Sequence, residues 1–259
     1  MIKITNAGIE IKNITKTFGK NKALDALNLH IEAGLLHGII GPDGAGKTTL
    51  LRILDGLMRF DGGTIEYTAD GQKVAFEDIR PAIAYMPSSA SLYPDLSINE
   101  HLEFFRSLYH LPYEDFRKRS AELLAITRLD KFRDRKVGQL SGGMYKKTGL
   151  MCAMLRAPSV LLLDEPTNGV DPISRREFWE LLYRLASQHI LILISTSYMD
   201  EAERASRVHL IETGRLLSSG EPSTVLREQN AKTFEEIFMR KAIDDTTILT
   251  SSSRGEEKR

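Results

Sequence analysis

Apolar residues gather in short unbroken runs, and amphipathic stretches of helical spacing lie between them. Gly38-Ile39-Ile40, Ser159 to Leu163 and Ile190 to Ile194 are the clearest runs. Strands that are apolar throughout belong to a parallel sheet covered on both faces. Lys47 to Leu54 follows the first run with helical spacing, and Arg175 to Ala186 reads as a crossover helix between the other two. This is a βαβ arrangement, so the spacing predicts an α/β core with a mostly parallel sheet and helices on both sides. Ile9 to Ile31 instead alternates polar and apolar residues, which predicts an antiparallel β subdomain with one exposed face. From about Ser97 to Phe132 there is no good strand, and the segment reads as a helical insertion. Ser97-Ile98-Asn99-Glu100 fits a capping box, and Pro112 separates two helices. The tail from Asp244 (residues 244–259) is polar and expected to be disordered, leaving 1–243 as the folded part. No internal repeat is evident.

Composition narrows the function classes. Of 259 residues, 42% are hydrophobic and 27% charged, which suits a globular chain and excludes a wholly disordered one. Lys+Arg and Asp+Glu both number 35, so net charge gives no support for a nucleic-acid partner. The single cysteine, Cys152, excludes an internal disulfide and suits a reducing cytosol. The longest apolar runs fall far short of the ~20 residues that span a bilayer, and no signal peptide is evident. Work at a membrane would therefore require another chain.

The chemistry begins at the end of the first run. Gly41-Pro42-Asp43-Gly44-Ala45-Gly46-Lys47-Thr48 matches G-x-x-x-x-G-K-[ST] in full and lies between a strand and a helix, with Thr49 following. Backbone N–H groups of such a loop surround a phosphate, and the helix N-terminus adds partial positive charge. A side chain at the glycines would block that approach. Lys47 is expected to reach the β- and γ-phosphates and the Thr48 hydroxyl to bind Mg²⁺. Leu161-Leu162-Leu163-Asp164-Glu165 places two carboxylates at the end of an apolar strand. Asp164 can hold Mg²⁺ through water, and Glu165 can polarise the attacking water. A GTPase would need an Asn-Lys-x-Asp base-reading motif, and none is found.

Leu140-Ser141-Gly142-Gly143-Met144 lies about twenty residues before Asp164. It resembles the signature motif of ATP-binding cassette (ABC) proteins. The resemblance runs to about residue 225. It implies a P-loop NTPase fold with ATP and Mg²⁺ as cofactors and Phe18 stacking on adenine. Asn168-Gly169-Val170-Asp171 is similar to the loop that crosses the cassette dimer interface. A helical subdomain over about residues 90–157 is implied, with Ala90 to Arg135 docking on membrane-spanning subunits. The run from Asp164 to Trp179 resembles the ABC-2-type drug-efflux ATPases, so the implied activity is ATP hydrolysis coupled to export. The implied place is the cytoplasmic face of the cell membrane, held there peripherally. In that family two cassettes pair head to tail, and Ser141, Gly142 and Gly143 would serve the partner's nucleotide.

Two positions depart from the family. Ser88 stands where the family has a Gln that touches Mg²⁺ and water, and Ser197 stands where it has a His that contacts the γ-phosphate. Serine is too short to replace either group, and such groups are commonly worth ~10²–10⁴ in rate. The expectation is a cassette that binds ATP well, hydrolyses it poorly alone, and pairs with an unlike cassette. The alternative is a soluble ABC ATPase outside transport. A DNA-repair member would carry long coiled-coil insertions, which are absent, and a translation factor would carry two cassettes in one chain.

Overall fold

The computed structural model describes residues 6–89 and 92–240. Its central sheet has six strands in the order β10-β9-β3-β8-β7-β6. These are β3 (Leu36–Ile40), β6 (Ile83–Met86), β7 (Val160–Asp164), β8 (Leu191–Thr196), β9 (Arg207–Glu212) and β10 (Arg215–Gly220). All neighbours pair in parallel except β10, which turns back antiparallel on β9. A second sheet, entirely antiparallel, has the order β2-β1-β4-β5, from β1 (Ala7–Phe18), β2 (Asn21–Ile31), β4 (Gly62–Ala69) and β5 (Gln72–Val74).

Two apolar clusters divide the residues of the central strands by alternation. In β8, Leu191 and Leu193 join one cluster, while Ile192 and Ile194 join the other. Period-two alternation sends them to opposite faces, and with both faces covered every position of β8 is apolar or buried. One cluster holds α1 (Lys47–Leu54) and the inner face of the antiparallel sheet, including Ile9, Ile11 and Leu24. The other holds α3 (Ile98–Leu108), α4 (Tyr113–Thr127), α5 (Gly142–Met154), α6 (Pro172–Ala186) and the helical stretch 234–240. The short helices α2 (Phe76–Ile79) and α7 (Pro222–Glu228) complete the α-helices among the described residues, beside four short 3₁₀ turns.

The helical insertion starts as its sequence requires. The Ser97 hydroxyl accepts from the Glu100 N–H, and the Glu100 carboxylate accepts from the Ser97 N–H. This reciprocal cap fixes the first turn of α3. Pro112 then precedes α4, whose first residue is Tyr113. Ala90, Ser91 and the tail 244–259 lie outside the described residues.

Register places the functional ends together. Ile40 pairs with Thr196, and Asp164 pairs with Ser195, so β3, β7 and β8 end on one level. Open parallel sheets place their ligand crevice there, outside the carboxyl ends of the strands. Behind that edge, fully buried Glu201 accepts from Thr167 Oγ1 at 2.8 Å and from Trp179 Nε1 at 3.0 Å. It ties the chain beyond β8 to the chain beyond β7 and to α6.

Candidate nucleotide site

β3 ends at Ile40, and the loop 41–46 leads directly into α1. Helix α1 has no side-chain cap, and its N-cap, Gly46, has φ +104°. Its first-turn N–H groups thus remain turned toward the loop. The structure gives the glycines another reason than the one read from sequence. A Cβ on Gly41 would lie 2.1 Å from the Ile211 carbonyl, and one on Gly46 would lie 2.3 Å from the Ala23 carbonyl. These two are set by packing against the protein's own backbone. Gly44 faces open space and is required by its φ of +81°.

A cleft of about 320 Å³ is lined by Phe18, Asn21, Ala23, Asp43 to Thr49 and Glu165. Phe18, at the end of β1, is 48% exposed and lies under the Lys16 ammonium. An exposed aromatic at a cleft wall offers a stacking face rather than core packing. Asn21 and Ala23 of β2 are lining residues that the sequence did not single out.

The charged groups converge on Glu165. Lys47 Nζ donates to the Gly41 and Pro42 carbonyls at 2.8 and 3.1 Å and lies 3.2 Å from Glu165 Oε1. All three ammonium donors are thus directed. Thr48 Oγ1 donates to Asp164 Oδ1 at 2.9 Å, and Ser195 Oγ donates to the same oxygen at 2.7 Å. Tyr85 donates to Asp164 Oδ2 at 3.2 Å, and burial pushes its phenol up to about 12. Asp164 is fully buried and held from three elements.

Glu165 itself has φ +45°. For a residue with a side chain this conformation costs roughly 1–3 kcal/mol, and such strain clusters at functional sites. Its N–H donates to Ser195, and its carbonyl accepts from Asn168 N–H and from Lys146 Nζ, the last at 3.3 Å. Ser197 gives its N–H and its hydroxyl to Oε2.

Ser88 follows β6 and is not among the lining residues of the cleft; its carbonyl accepts from Lys146 Nζ at 2.7 Å. Lys146 was missed from sequence. It is nearly buried on α5, and burial holds its ammonium below the usual lysine range. The signature residues also lie apart from the cleft lining. Ser141 is the N-cap of α5, with Oγ accepting from the Met144 N–H at 3.4 Å. Ser141 and Gly142 are exposed, whereas a Cβ on Gly143 would lie 2.5 Å from Ser174 on α6. Asp171 caps α6 by accepting from Ile173 and Ser174 N–H groups, and these hold its carboxyl below the usual range.

The donor set suits Mg²⁺. Thr48 and Asp164 present hard oxygens 2.9 Å apart beside the loop. Among the described residues there is no group of three His, Cys, Asp or Glu that could hold a metal ion. A cation here would take its remaining oxygens from nucleotide phosphates and water, as Mg²⁺ does.

The family model described as "ABC transporter" matches residues 24–168, more than half of the chain. The chain belongs to the ABC transporter family. Its ATPase cassette is 41% identical over 239 residues to "Probable multidrug ABC transporter ATP-binding protein YbhF" of Escherichia coli K12, covering 89% of this chain. The chain spans only 40% of the length of that relative. It is 39% identical over 217 residues to "Daunorubicin resistance ATP-binding protein DrrA2" of Streptomyces coeruleorubidus, covering 83% of this chain and 67% of that protein. Among solved structures, an ATP-binding subunit of an ABC transporter superposes with a TM-score of 0.75 at 26% identity, covering 90% of this chain and 98% of that one. A dimeric bacterial ABC transporter cassette gives 0.71 at 28% identity, covering 82% and 98%. The α/β P-loop fold with its antiparallel sheet and helical insertion is thus that of the ABC ATPase cassettes. Among the described residues, no helix is long and apolar enough to cross a membrane.

Proposed function

We propose that the chain is the ATP-binding subunit of an ABC-type exporter, in which a cassette dimer drives membrane-spanning subunits from the cytoplasmic face. The observation that carries this reading is the convergence of Lys47, Thr48, Asp164 and Glu165 at one cleft edge with Phe18 on its wall. Phe18 would stack on adenine, and the loop N–H groups with Lys47 would hold the phosphates. A phosphate oxygen is the kind of anionic partner that Lys47 takes from Glu165. Thr48 and Asp164 would hold Mg²⁺, which when bound supplies charge neutralisation to the phosphates. Glu165 would polarise the attacking water.

Ser88 and Ser197 make this cassette's own site a slow one. Ser141, Gly142 and Gly143, at the N-terminus of α5, would complete the site of a second, unlike cassette. Support for the membrane-spanning partner comes from the helical insertion. There Tyr93, Phe104, Leu108 and Tyr113 are exposed, with the Tyr93 and Phe104 rings edge-on at 5.5 Å. Exposed aromatic patches mark interaction surfaces. The names of the relatives, in multidrug transport and daunorubicin resistance, support export.

Titration calorimetry tests the site. Mg·ATP is expected to bind with a Kd between micromolar and millimolar, ~4–8 kcal/mol, and Lys47→Ala to bind far more weakly. Equal affinity in both removes the assignment. Purification of the tagged chain from membranes is expected to bring a membrane-spanning subunit and a second cassette. A chain recovered only from the soluble fraction with ribosomes or DNA would favour an ABC ATPase outside transport.

A further inference from the structure

Lys146 has a place that the nucleotide chemistry does not use. It lies five residues after Ser141, in the second turn of α5, and its side chain is nearly buried. Its ammonium donates to two backbone carbonyls, those of Ser88 at 2.7 Å and Glu165 at 3.3 Å. These carbonyls belong to the segments that leave two adjacent parallel strands, β6 and β7. One side chain therefore joins the helical insertion to both segments. An apolar residue would fill this position without the cost of burying a charge. The lysine supplies donors that reach carbonyls at the strand ends, and its charge faces Asp164 and Glu165.

The contact with Glu165 falls on a strained residue. Its φ is +45°, and Pro166 follows it, which further restricts its backbone. The peptide on one side is held by β8, through Ser195 O and Oγ accepting from the Glu165 N–H at 3.1 Å each. The peptide on the other side is held by Lys146 and by the Asn168 N–H at 3.2 Å. With the backbone fixed at both ends, the carboxylate is aimed. Oε1 meets Lys47 at 3.2 Å and Oε2 meets the Ser197 N–H at 3.2 Å.

We infer that Lys146 is a positioning residue, bracing the left-handed backbone of Glu165 and the segment at Ser88 so that the Glu165 carboxylate is held toward Lys47. This rests on the proposed role of Glu165 in polarising water. Lys146 is not among the residues that line the cleft, so its removal is expected to act on the rate and leave binding intact.

The test is single-turnover hydrolysis, with the chain in excess over γ-labelled ATP, beside titration calorimetry of Mg·ATP. Lys146→Met keeps the stem and removes the donors. It is expected to lower the rate at least ~10-fold, less than the ~10²–10⁴ of a group that itself moves the proton, with Kd changed by less than about twofold. Lys146→Arg restores donors and returns the rate to within roughly threefold of wild type. On a Glu165→Gln background, Lys146→Met brings no further slowing, since its effect passes through that carboxylate. Hydrogen exchange reads the brace without turnover: the amides of Asp164, Glu165, Thr167 and Asn168 exchange at least about fivefold faster in Lys146→Met and as wild type in Lys146→Arg. Where the wild-type rate is at background, this comparison decides. Should Lys146→Met not fold, Lys146→Gln takes its place against Lys146→Arg. Unchanged rate and exchange, a loss of affinity as large as the loss of rate, or equal slowing on the Glu165→Gln background each overturn the inference. Failure of the site assignment is distinct: Lys47→Ala would then bind Mg·ATP as wild type does.

Discussion

Ser197 presents two donors to one oxygen: its N–H lies 3.2 Å and its hydroxyl 3.4 Å from Oε2 of Glu165. The backbone donor does not depend on the side chain, and the hydroxyl contact is the longer of the two. Ser197→Ala therefore keeps the better bond, and its turnover is expected within roughly threefold of wild type. Ser197 is not among the residues that line the cleft; a histidine at this position would keep the same N–H and add a longer side chain with an imidazole. Ser88→Gln with Ser197→His is expected to raise steady-state phosphate release at least ~10-fold, toward the usual worth of positioned polar groups. Wild-type chain alone already turning over at several per second, near the ~10 s⁻¹ enzyme median, would remove the slow-site reading.

Phe18 and Lys47 line one cleft but would recognise different parts of the nucleotide. Phe18→Ala removes a stacking face that is 48% exposed and leaves the phosphate loop unaltered. Its ATP affinity is expected to fall about 5–10-fold, in line with ~1–1.5 kcal/mol for an aromatic stack, while inorganic triphosphate binds as before. Lys47→Ala is expected to weaken both ligands. Calorimetry with the two ligands on the two variants separates the roles; a Phe18→Ala chain that loses triphosphate binding would show that Phe18 acts through the loop.

What was legible in the sequence was local. β7 and β8 are runs that only a doubly covered parallel strand needs, and the phosphate loop carries its own spacing. The Ser97 and Glu100 pair is a cap wherever it occurs before a helix. The β9–β10 hairpin had a signal too, Thr213-Gly214 with both φ values positive between apolar runs, but the two strands around it are short. β4 begins in glycines and polar residues; β5 folds back on it through the local Asp70-Gly71 turn, but β4's other partner is β1, about fifty positions earlier. No local pattern specifies that. Lys146 reads as one of two solvated lysines on a helix; only the crossing of α5 over the ends of β6 and β7 brings it onto carbonyls. The positive φ of Glu165 was hidden for the opposite reason, since a residue before proline reads as extended. At Gly41 and Gly46 the spacing speaks only of phosphate approach; the carbonyls of Ile211 and Ala23 that a Cβ would strike come from elsewhere in the fold.

The division between Glu165 and Ser141 sets the expected behaviour of a mixed cassette dimer. Glu165 lines this chain's own cleft, whereas Ser141 is exposed at the N-terminus of α5, away from that lining. Ser141→Arg leaves the helix but replaces its cap with a bulky charge, and is expected to abolish most ATPase activity of the assembled complex. Loss of the cap alone costs ~1 kcal/mol, so the variant chain remains folded, which its melting curve checks. Glu165→Gln is expected to cost the complex much less, because on the proposed reading the site it serves is the slow one. A complex silenced by Glu165→Gln and active with Ser141→Arg would reverse the two roles.

Acid stability turns on a pair far from the nucleotide. His37 and His209 are fully buried on β3 and β9, with His37 Nδ1 2.9 Å from His209 Nε2 and the rings stacked. His37 Nε2 faces the Glu32 carbonyl at 2.9 Å, which can only accept, so that nitrogen carries the proton. His37 Nδ1 then accepts from His209 Nε2–H, and His209 Nδ1 accepts from the Ser219 hydroxyl at 2.7 Å. The chain is complete with both rings neutral, and a second proton would set N–H against N–H. Burial pushes His37 down to about 4 and His209 down to about 3, the latter with help from the His37 charge. The folded state thus binds fewer protons than the unfolded chain, whose histidines titrate near 6.5. Stability from the pair is full above that value and falls as pH drops from about 6.5 toward 4, by on the order of 3 kcal/mol for each histidine. Urea midpoints measured from pH 7.5 to 4.5 are expected to show this fall, and the double variant His37→Gln with His209→Gln to flatten it. A double variant as acid-sensitive as the wild type would assign the fall to other groups.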